Sequence, residues 1–379
     1  MMSQKKKPTI AVKIVTPIIV LLVMLVLVEL FLQIFMRLPF SDRLYWISDG
    51  HVKARLEPNQ HVINTDGNRV HINRFGFRGA EWKWEPAPGT LRIITLGGSS
   101  TFCFQVSSDE NTWPAQLEKM LTKRLGMPVE VLNLALSGYD TSNSKINYLF
   151  HGRAFHPHVA LVYHTWNDLK FLRPIDDIKD GGMLSSALSG RPSTGVNQSA
   201  LARVFRRLQI VRRFDLVLTK MRDVKRENSY TSIEEQGGKA HKPLGDRAWK
   251  WFEMNFDDIA RFVKSDGVMP VLISQATLAQ KENVNNKEYR QLISNDYVGM
   301  TIPRLADSYI KASHIIENAA ARQGALFING YDAVPSDLTH LKDHVHLLDP
   351  GTKRLAEAIA GKLENDDAFM QVVQRVRAR

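Results

Sequence analysis

Apolar and polar positions divide the chain into regimes with different periods. Residues 14–36 carry a single charge, Glu29, and are apolar on every side of a helix drawn through them. At a rise of about 1.5 Å per residue that helix reaches about 35 Å, enough to cross a hydrocarbon core of about 30 Å. A buried soluble helix would show an apolar stripe instead. A cleaved signal would have a shorter apolar region, about 7–15 residues, ending in small residues. Here the run leads into Phe35, Met36, Arg37 and Leu38, so a retained single-pass anchor is expected.

Beyond residue 90 short β-branched runs alternate with amphipathic stretches. Residues 92–96, 129–134, 159–164, 268–274 and 325–328 read as buried strands. Thr112 and Pro114 open a helix in which Trp113, Leu117, Leu121 and Leu125 recur every fourth position, and Gly126 stops it. Trp251, Phe252, Phe256, Ile259 and Phe262 mark a second helix, and Ile310, Ile315, Ile316 and Ala319 a third. Residues 355–363 form a fourth. This alternation predicts right-handed βαβ units, an α/β fold with a mainly parallel sheet covered on both faces. Functional residues in such sheets sit on loops beyond the carboxyl ends of the strands.

The alternation breaks at residues 175–244, read as an insertion. It opens Gly/Ser-rich, passes through a basic amphipathic helix at about 200–224, and closes on a second polar loop. Leu201, Val204, Phe205, Leu208 and Val211 line one face of that helix. Packing against the rest of the protein is the plain reading of that face, and contact with anionic lipid is the sharper one. Residues 37–90 are aromatic and turn-rich, with hairpins spread over the domain surface expected and a part in shaping the rim of a site as the alternative, though nothing in them is chemically diagnostic. The layout is therefore a basic tail (1–13), an anchor (14–36), an extension (37–90) and an α/β domain (91–379).

Net charge is +11, and two short segments account for it. Lys5, Lys6, Lys7 and Lys13 precede the apolar run, and residues 201–226 hold nine basic against two acidic residues. The remainder is neutral, so no nucleic-acid partner is expected. The lysines before the anchor, against Arg37 and Arg43 after it, place the N-terminus in the cytoplasm. The body is then periplasmic or extracellular, tethered to the inner (cytoplasmic) membrane. Glu29 reads as a carboxylate that snorkels or takes a proton. Cys103 is the single cysteine, which excludes an intrachain disulfide and a multi-cysteine zinc site.

Candidate chemistry lies at the strand ends. The first strand ends in Gly97, Gly98, Ser99, Ser100 and Thr101, a turn that can present a nucleophilic hydroxyl. A capping serine is the plain alternative. The Lys-Ser/Thr of a phosphate loop and the G-x-S-x-G of an α/β-hydrolase elbow are both absent. After the second strand, Gly138 can offer an unhindered backbone N–H; after the third, Asn167 can offer a side-chain amide, and two such donors suit a developing oxyanion. A turn glycine and a helix cap are the plain readings of these two. Near the C-terminus, Asp343 and His346 lie three apart on one loop and can supply a base with its orienting carboxylate. His344 competes as the base. His340, His344 and His346 could instead bind a metal, but no H-E-x-x-H or acidic cluster accompanies them.

Ser99, Gly138, Asn167 and the Asp343-x-x-His346 pair, in this order at strand ends, resemble the SGNH, or GDSL-type, esterase and lipase family over about residues 90–363. The resemblance implies a flavodoxin-like three-layer α/β/α fold with five parallel strands in the order 2-1-3-4-5. It implies Ser99 as nucleophile, His346 as base, Asp343 as its orienter, and an oxyanion hole from the Ser99 and Gly138 N–H groups and the Asn167 side chain. The sequence departs from the family pattern where Gly98 replaces an Asp in the first block and Thr165 replaces a Gly in the third.

The expected activity is that of a membrane-anchored serine ester hydrolase with no metal and no organic cofactor. The expected substrate is an acyl ester, on a glycan O-acetyl group or a lipid. An O-acyltransferase or O-acetylesterase working on extracellular polysaccharide would use the same triad. A non-catalytic carbohydrate-binding member of the fold is the alternative from another class.

Overall fold

The computed structural model describes residues 10–36, 44, 46–47, 49–52, 54–63, 67–170, 208–211, 213–214, 217–218, 221, 244–293 and 300–379. Chain contacts divide the protein into two compact units, residues 1–41 with 197–229, and residues 42–196 with 230–379.

In the first unit α1 (Ile10–Phe35) is a continuous helix with Pro17 inside it. Its stretch Lys13–Phe35 is long and apolar enough to cross a membrane, and its apolar side chains are exposed. Glu29 does not end in solvent. Its carboxylate accepts the backbone N–H groups of Gln209 (2.7 Å) and Ile210 (3.0 Å) and the side-chain amide of Gln33 (2.7 Å). The chain around it thus answers the carboxyl with donors, a set of partners the sequence had not shown. Most of the segment 175–244 and its expected helix lies outside the described residues; within it, the described residues 209–211, 213–214, 217–218 and 221 are helical.

The second unit is built on five parallel strands: β5 (Leu91–Gly97), β6 (Val129–Asn133), β7 (Val159–Tyr163), β8 (Met269–Ile273) and β9 (Leu326–Ile328). They lie in the order β6-β5-β7-β8-β9, which is the 2-1-3-4-5 arrangement expected of this α/β fold. Every residue of β5 and β7 is buried, as strands covered on both faces must be. The right-handed crossover rule then fixes the layers. The chain leaves β5 toward β6 through α3 (Trp113–Leu125), then reverses direction toward β7 through α4 (Thr141–Phe150). It continues through α5 (Asp246–Ser265) and α7 (Ile302–Gln323), the short α6 (Lys287–Leu292) lying between them. Accordingly α3 packs with α9 (Asp349–Glu364), while α4 packs with α5 and α5 with α7. The short helix α8 (Gly330–Ala333) precedes α9, and α10 (Asp367–Arg377) ends the chain.

Local signals explain several boundaries. Thr112 caps α3 by accepting the Ala115 N–H, and Gly126 ends it in the left-handed region at φ 61°. In α5 the buried stripe is Trp249, Phe252, Phe256, Ile259 and Val263, which keeps Phe252, Phe256 and Ile259 of the sequence expectation and differs at its ends. Trp251 and Phe262 flank that stripe half-buried.

The extension forms two antiparallel pairs, β1 (Trp46–Ile47) with β2 (Arg55–Leu56) and β3 (Gln60–Ile63) with β4 (Arg69–Ile72). Arg78, buried just after the second pair, ion-pairs with Asp109 at 2.6 Å and donates to the Phe102 and Cys103 carbonyls. Those carbonyls close the short helix α2 (Ser99–Phe102) that follows β5. The extension is thus tied to the turn that carries Ser99.

Candidate active site

Strand order reverses at β5, so a crevice opens between the carboxyl ends of β5 and β7. Ser99 follows β5 at the first position of α2, with Gly98 extended before it (φ −93°, ψ −150°). A helix start has backbone N–H groups with no carbonyl one turn back to accept them. Asn167 follows β7, and its side-chain N–H2 donates to the Tyr139 carbonyl at 2.7 Å. An amide nitrogen carries two hydrogens, so one remains for a ligand. A Cβ on Gly98 would lie 2.7 Å from this nitrogen and 2.9 Å from the Tyr139 carbonyl oxygen. The glycine at 98 therefore lets the Asn167 amide approach the backbone beside Ser99. Gly138, in the turn after β6, adopts φ 83°, the left-handed region that favours glycine.

The C-terminal loop arrives from the far end of the sequence. Leu341 and Leu347 bridge antiparallel, and the Lys342 N–H donates to the His346 carbonyl at 2.8 Å. Inside that hairpin Asp343 Oδ1 accepts the Val345 and His346 N–H groups, each at 3.0 Å. Its other oxygen, Oδ2, lies 2.7 Å from His346 Nδ1, and His346 Nε2 lies 2.8 Å from Ser99 Oγ. The structure thus brings Ser99, His346 and Asp343 into one hydrogen-bonded line. An imidazole held this way presents Nε2 to the hydroxyl as an acceptor, because Nδ1 gives its hydrogen to the carboxylate.

Electrostatics follow from the contacts. Burial works to lower the pKa of His346, but the charge and hydrogen bond of Asp343 outweigh it and the net shift is upward from 6.5. Burial works to raise Asp343, and the charge and hydrogen bond of His346, the charge of His344 and the Val345 N–H overcome it, leaving the carboxyl well below its ordinary range. The pair is therefore set to stabilise an imidazolium.

His344 occupies a different place. Its ring packs on Trp166 with centroids 4.0 Å apart, and neither ring nitrogen has a hydrogen-bond partner among the described residues. Burial pushes its pKa down to about 4 against the pull of Asp343. His340 pairs with Asp337 at 2.7 Å instead of joining the other two histidines. Among the described residues no group of three or more His, Cys, Asp or Glu side chains is placed to hold a metal ion.

Beside Ser99 is a recess of about 10 Å³, bounded by Gly98, Thr165, Trp166, Asn167 and Gln275. That is room for about one water. The Thr165 hydroxyl turns back onto the His164 carbonyl. A larger cavity, about 660 Å³, lies away from this crevice; Arg153, His158, Asp266, Val268 and Arg375 line it, and Ser99, Asp343 and His346 do not. Sequence reading passed over Gln275 and Ser100, whose side chains bond to each other at 2.8 Å under the site. The position of Gln275, just past the apolar run of β8, was the available signal.

No family model matches the chain, and no curated protein matches its sequence. Among solved structures it is similar to TesA at 12% identity and TM-score 0.41, over 72% of this chain and 98% of that one. It is also similar to Axe2, an acetylxylan esterase from Geobacillus stearothermophilus, at 11% identity and TM-score 0.42, over 72% and 93%. A third likeness, to a putative lipolytic protein of the G-D-S-L family from Desulfitobacterium hafniense, has 10% identity and TM-score 0.39, over 72% and 98%.

Proposed function

We propose that the protein is a serine ester hydrolase of the SGNH type, held at a membrane by α1 and acting outside the cytoplasm. The observation that carries this reading is the line Ser99 Oγ to His346 Nε2 at 2.8 Å and His346 Nδ1 to Asp343 Oδ2 at 2.7 Å. Ser99 Oγ attacks the acyl carbon of an ester while His346 Nε2 takes its proton, and Asp343 stabilises the imidazolium. The oxyanion is met by the Ser99 and Gly138 backbone N–H groups and the free hydrogen of the Asn167 amide. His346 returns the proton to the leaving alcohol, and a water activated by the same imidazole then releases the acid and frees Ser99.

The orientation with the active site outside rests on Lys5, Lys6, Lys7 and Lys13 preceding the apolar span. The test is hydrolysis of p-nitrophenyl esters from acetate to palmitate by the detergent-solubilised full chain, as wild type and as Ser99→Ala. The reading expects Ser99→Ala to abolish hydrolysis of every ester that the wild type turns over. Equal rates in the two proteins would overturn the assignment of the nucleophile.

A further inference from the structure

Beneath Ser99 a second set of hydrogen bonds crosses the molecule, and none of its members belongs to the reacting groups named above. Gln275, two residues beyond β8, is buried together with Ser100 and Trp166. Its Oε1 accepts the Trp166 backbone N–H at 2.7 Å, and its Nε2 donates to Ser100 Oγ at 2.8 Å. Ser100 Oγ in turn donates to the Val345 carbonyl at 3.0 Å. The sense of each bond is forced. A backbone N–H can only donate, so the amide oxygen of Gln275 must face Trp166 and its N–H2 must face Ser100. A carbonyl can only accept, so the Ser100 hydrogen must point at Val345.

Each end of this relay lies one residue from a group of the proposed mechanism. Trp166 precedes Asn167, Ser100 follows Ser99, and Val345 precedes His346. The loop after β8 supplies no reacting atom, yet it ties together three of the four loops that do. We propose that Gln275 is a positioning residue which, through Trp166, Ser100 and Val345, sets the Asn167 donor, the Ser99 hydroxyl and the His346 imidazole relative to one another. This rests on the hydrolase reading. Loss of the amide removes the Gln275 acceptor from the buried Trp166 N–H and frees three loops to shift. A shift of about 1 Å among reacting groups costs about 100-fold in rate.

The test uses the full chain in detergent with p-nitrophenyl acetate, comparing wild type, Ser99→Ala, Gln275→Ala and Gln275→Glu. Gln275→Ala should lose about 100-fold in kcat with little change in KM, because the oxyanion donors form their full bonds only in the transition state. Gln275→Glu is the sharper variant. Its protonated carboxyl is isosteric with the amide, accepting from Trp166 and donating to Ser100, whereas the ionised form has no hydrogen to donate. Its kcat should therefore fall as pH rises through the pKa of a buried carboxyl, adding an alkaline limb that wild type lacks. Thermal melting at each pH shows that the variant remains folded across that limb. A purely structural role would lower the melting temperature and leave the shape of the pH profile unchanged. Gln275→Ala within about two-fold of wild type, or a Gln275→Glu profile parallel to wild type, would overturn the inference alone. A wild-type rate no higher than that of Ser99→Ala would sink the hydrolase reading and this one with it.

Discussion

Two groupings of serine, histidine and aspartate lie in the α/β unit, and they are electrostatic opposites. In the first, Ser99, His346 and Asp343 are half-buried and in line, with the histidine raised and the carboxyl lowered. In the second, His164 Nε2 lies 2.7 Å from Ser144 Oγ, but its Nδ1 is 3.9 Å from Asp168 Oδ2, too far for a hydrogen bond. All three of its members are buried, and burial pushes His164 down to about 3. Burial and then the charge of Asp140 push Asp168 up. Asp168 Oδ1 accepts the Thr141 N–H at 3.0 Å, fastening the start of α4 to the loop after β7. Residue type alone therefore does not make a proton relay. Access to a crevice and a carboxylate close enough to share the imidazole hydrogen do.

The same substitution in each grouping should have opposite consequences. Ser99→Ala should lower kcat by about 10⁴–10⁶-fold, whereas Ser144→Ala should leave kcat near wild type. Ser144→Ala instead leaves a buried His164 nitrogen without a partner, costing about 1–3 kcal/mol of stability in a denaturant melt. Comparable activity losses in both would erase the distinction. Next in size, Asp343→Asn should cost about 10³–10⁴ in kcat, since an amide no longer fixes the imidazole tautomer.

Asp168→Asn should act on stability, with a sign that depends on pH. The native state keeps the Asp168 proton above the ordinary carboxyl pKa, where the unfolded chain has released it, so wild-type stability falls as pH rises through that window. Asparagine does not titrate, so the melting temperature of the variant relative to wild type should climb from about pH 4 toward neutrality. A flat difference would show that Asp168 is ionised in the folded protein.

The histidines should separate by pH as well. Activity needs neutral His346, and its pKa is raised, so kcat/KM should fall as pH drops through a value above 6.5. His164 and His344 are buried neutral with lowered pKa values, so below 6.5 the unfolded chain takes up protons that the native state refuses. Their contribution to stability is complete above 6.5 and is lost progressively as pH falls toward about 3 and about 4. An inactivation limb lying at or below the ordinary histidine value would contradict the Asp343–His346 pairing. Smallest of all, Gly138→Ala places a Cβ at positive φ and should cost about 1–2 kcal/mol in a thermal melt.

Strands were legible from sequence because a strand covered on both faces is a short apolar run, and all five runs became strands with ends shifted by about a residue. Helix α4 was not legible, for a definite reason. Its buried residues are Thr141, Ser144, Asn147 and Tyr148, so it buries polar groups with partners and shows no apolar stripe. Asn147, for example, donates to the Leu134 carbonyl at 2.9 Å. Helix α10 was overlooked although Asp366, Phe369, Val372, Val373 and Val376 give a cap and a regular stripe. Among site residues, those with reactive or turn-forming chemistry drew notice at strand ends. Gln275, Ser100 and Arg78 did not, because supporting hydrogen bonds across 24 to 245 positions leave no local pattern.

The most direct single measurement is labelling of the full chain with a fluorophosphonate, followed by peptide mass spectrometry to locate the adduct. A stoichiometric adduct on Ser99, slowed severely by Asp343→Asn and untouched by Ser144→Ala, is the expected result. An adduct on another serine, or none at all on folded protein, would contradict the account.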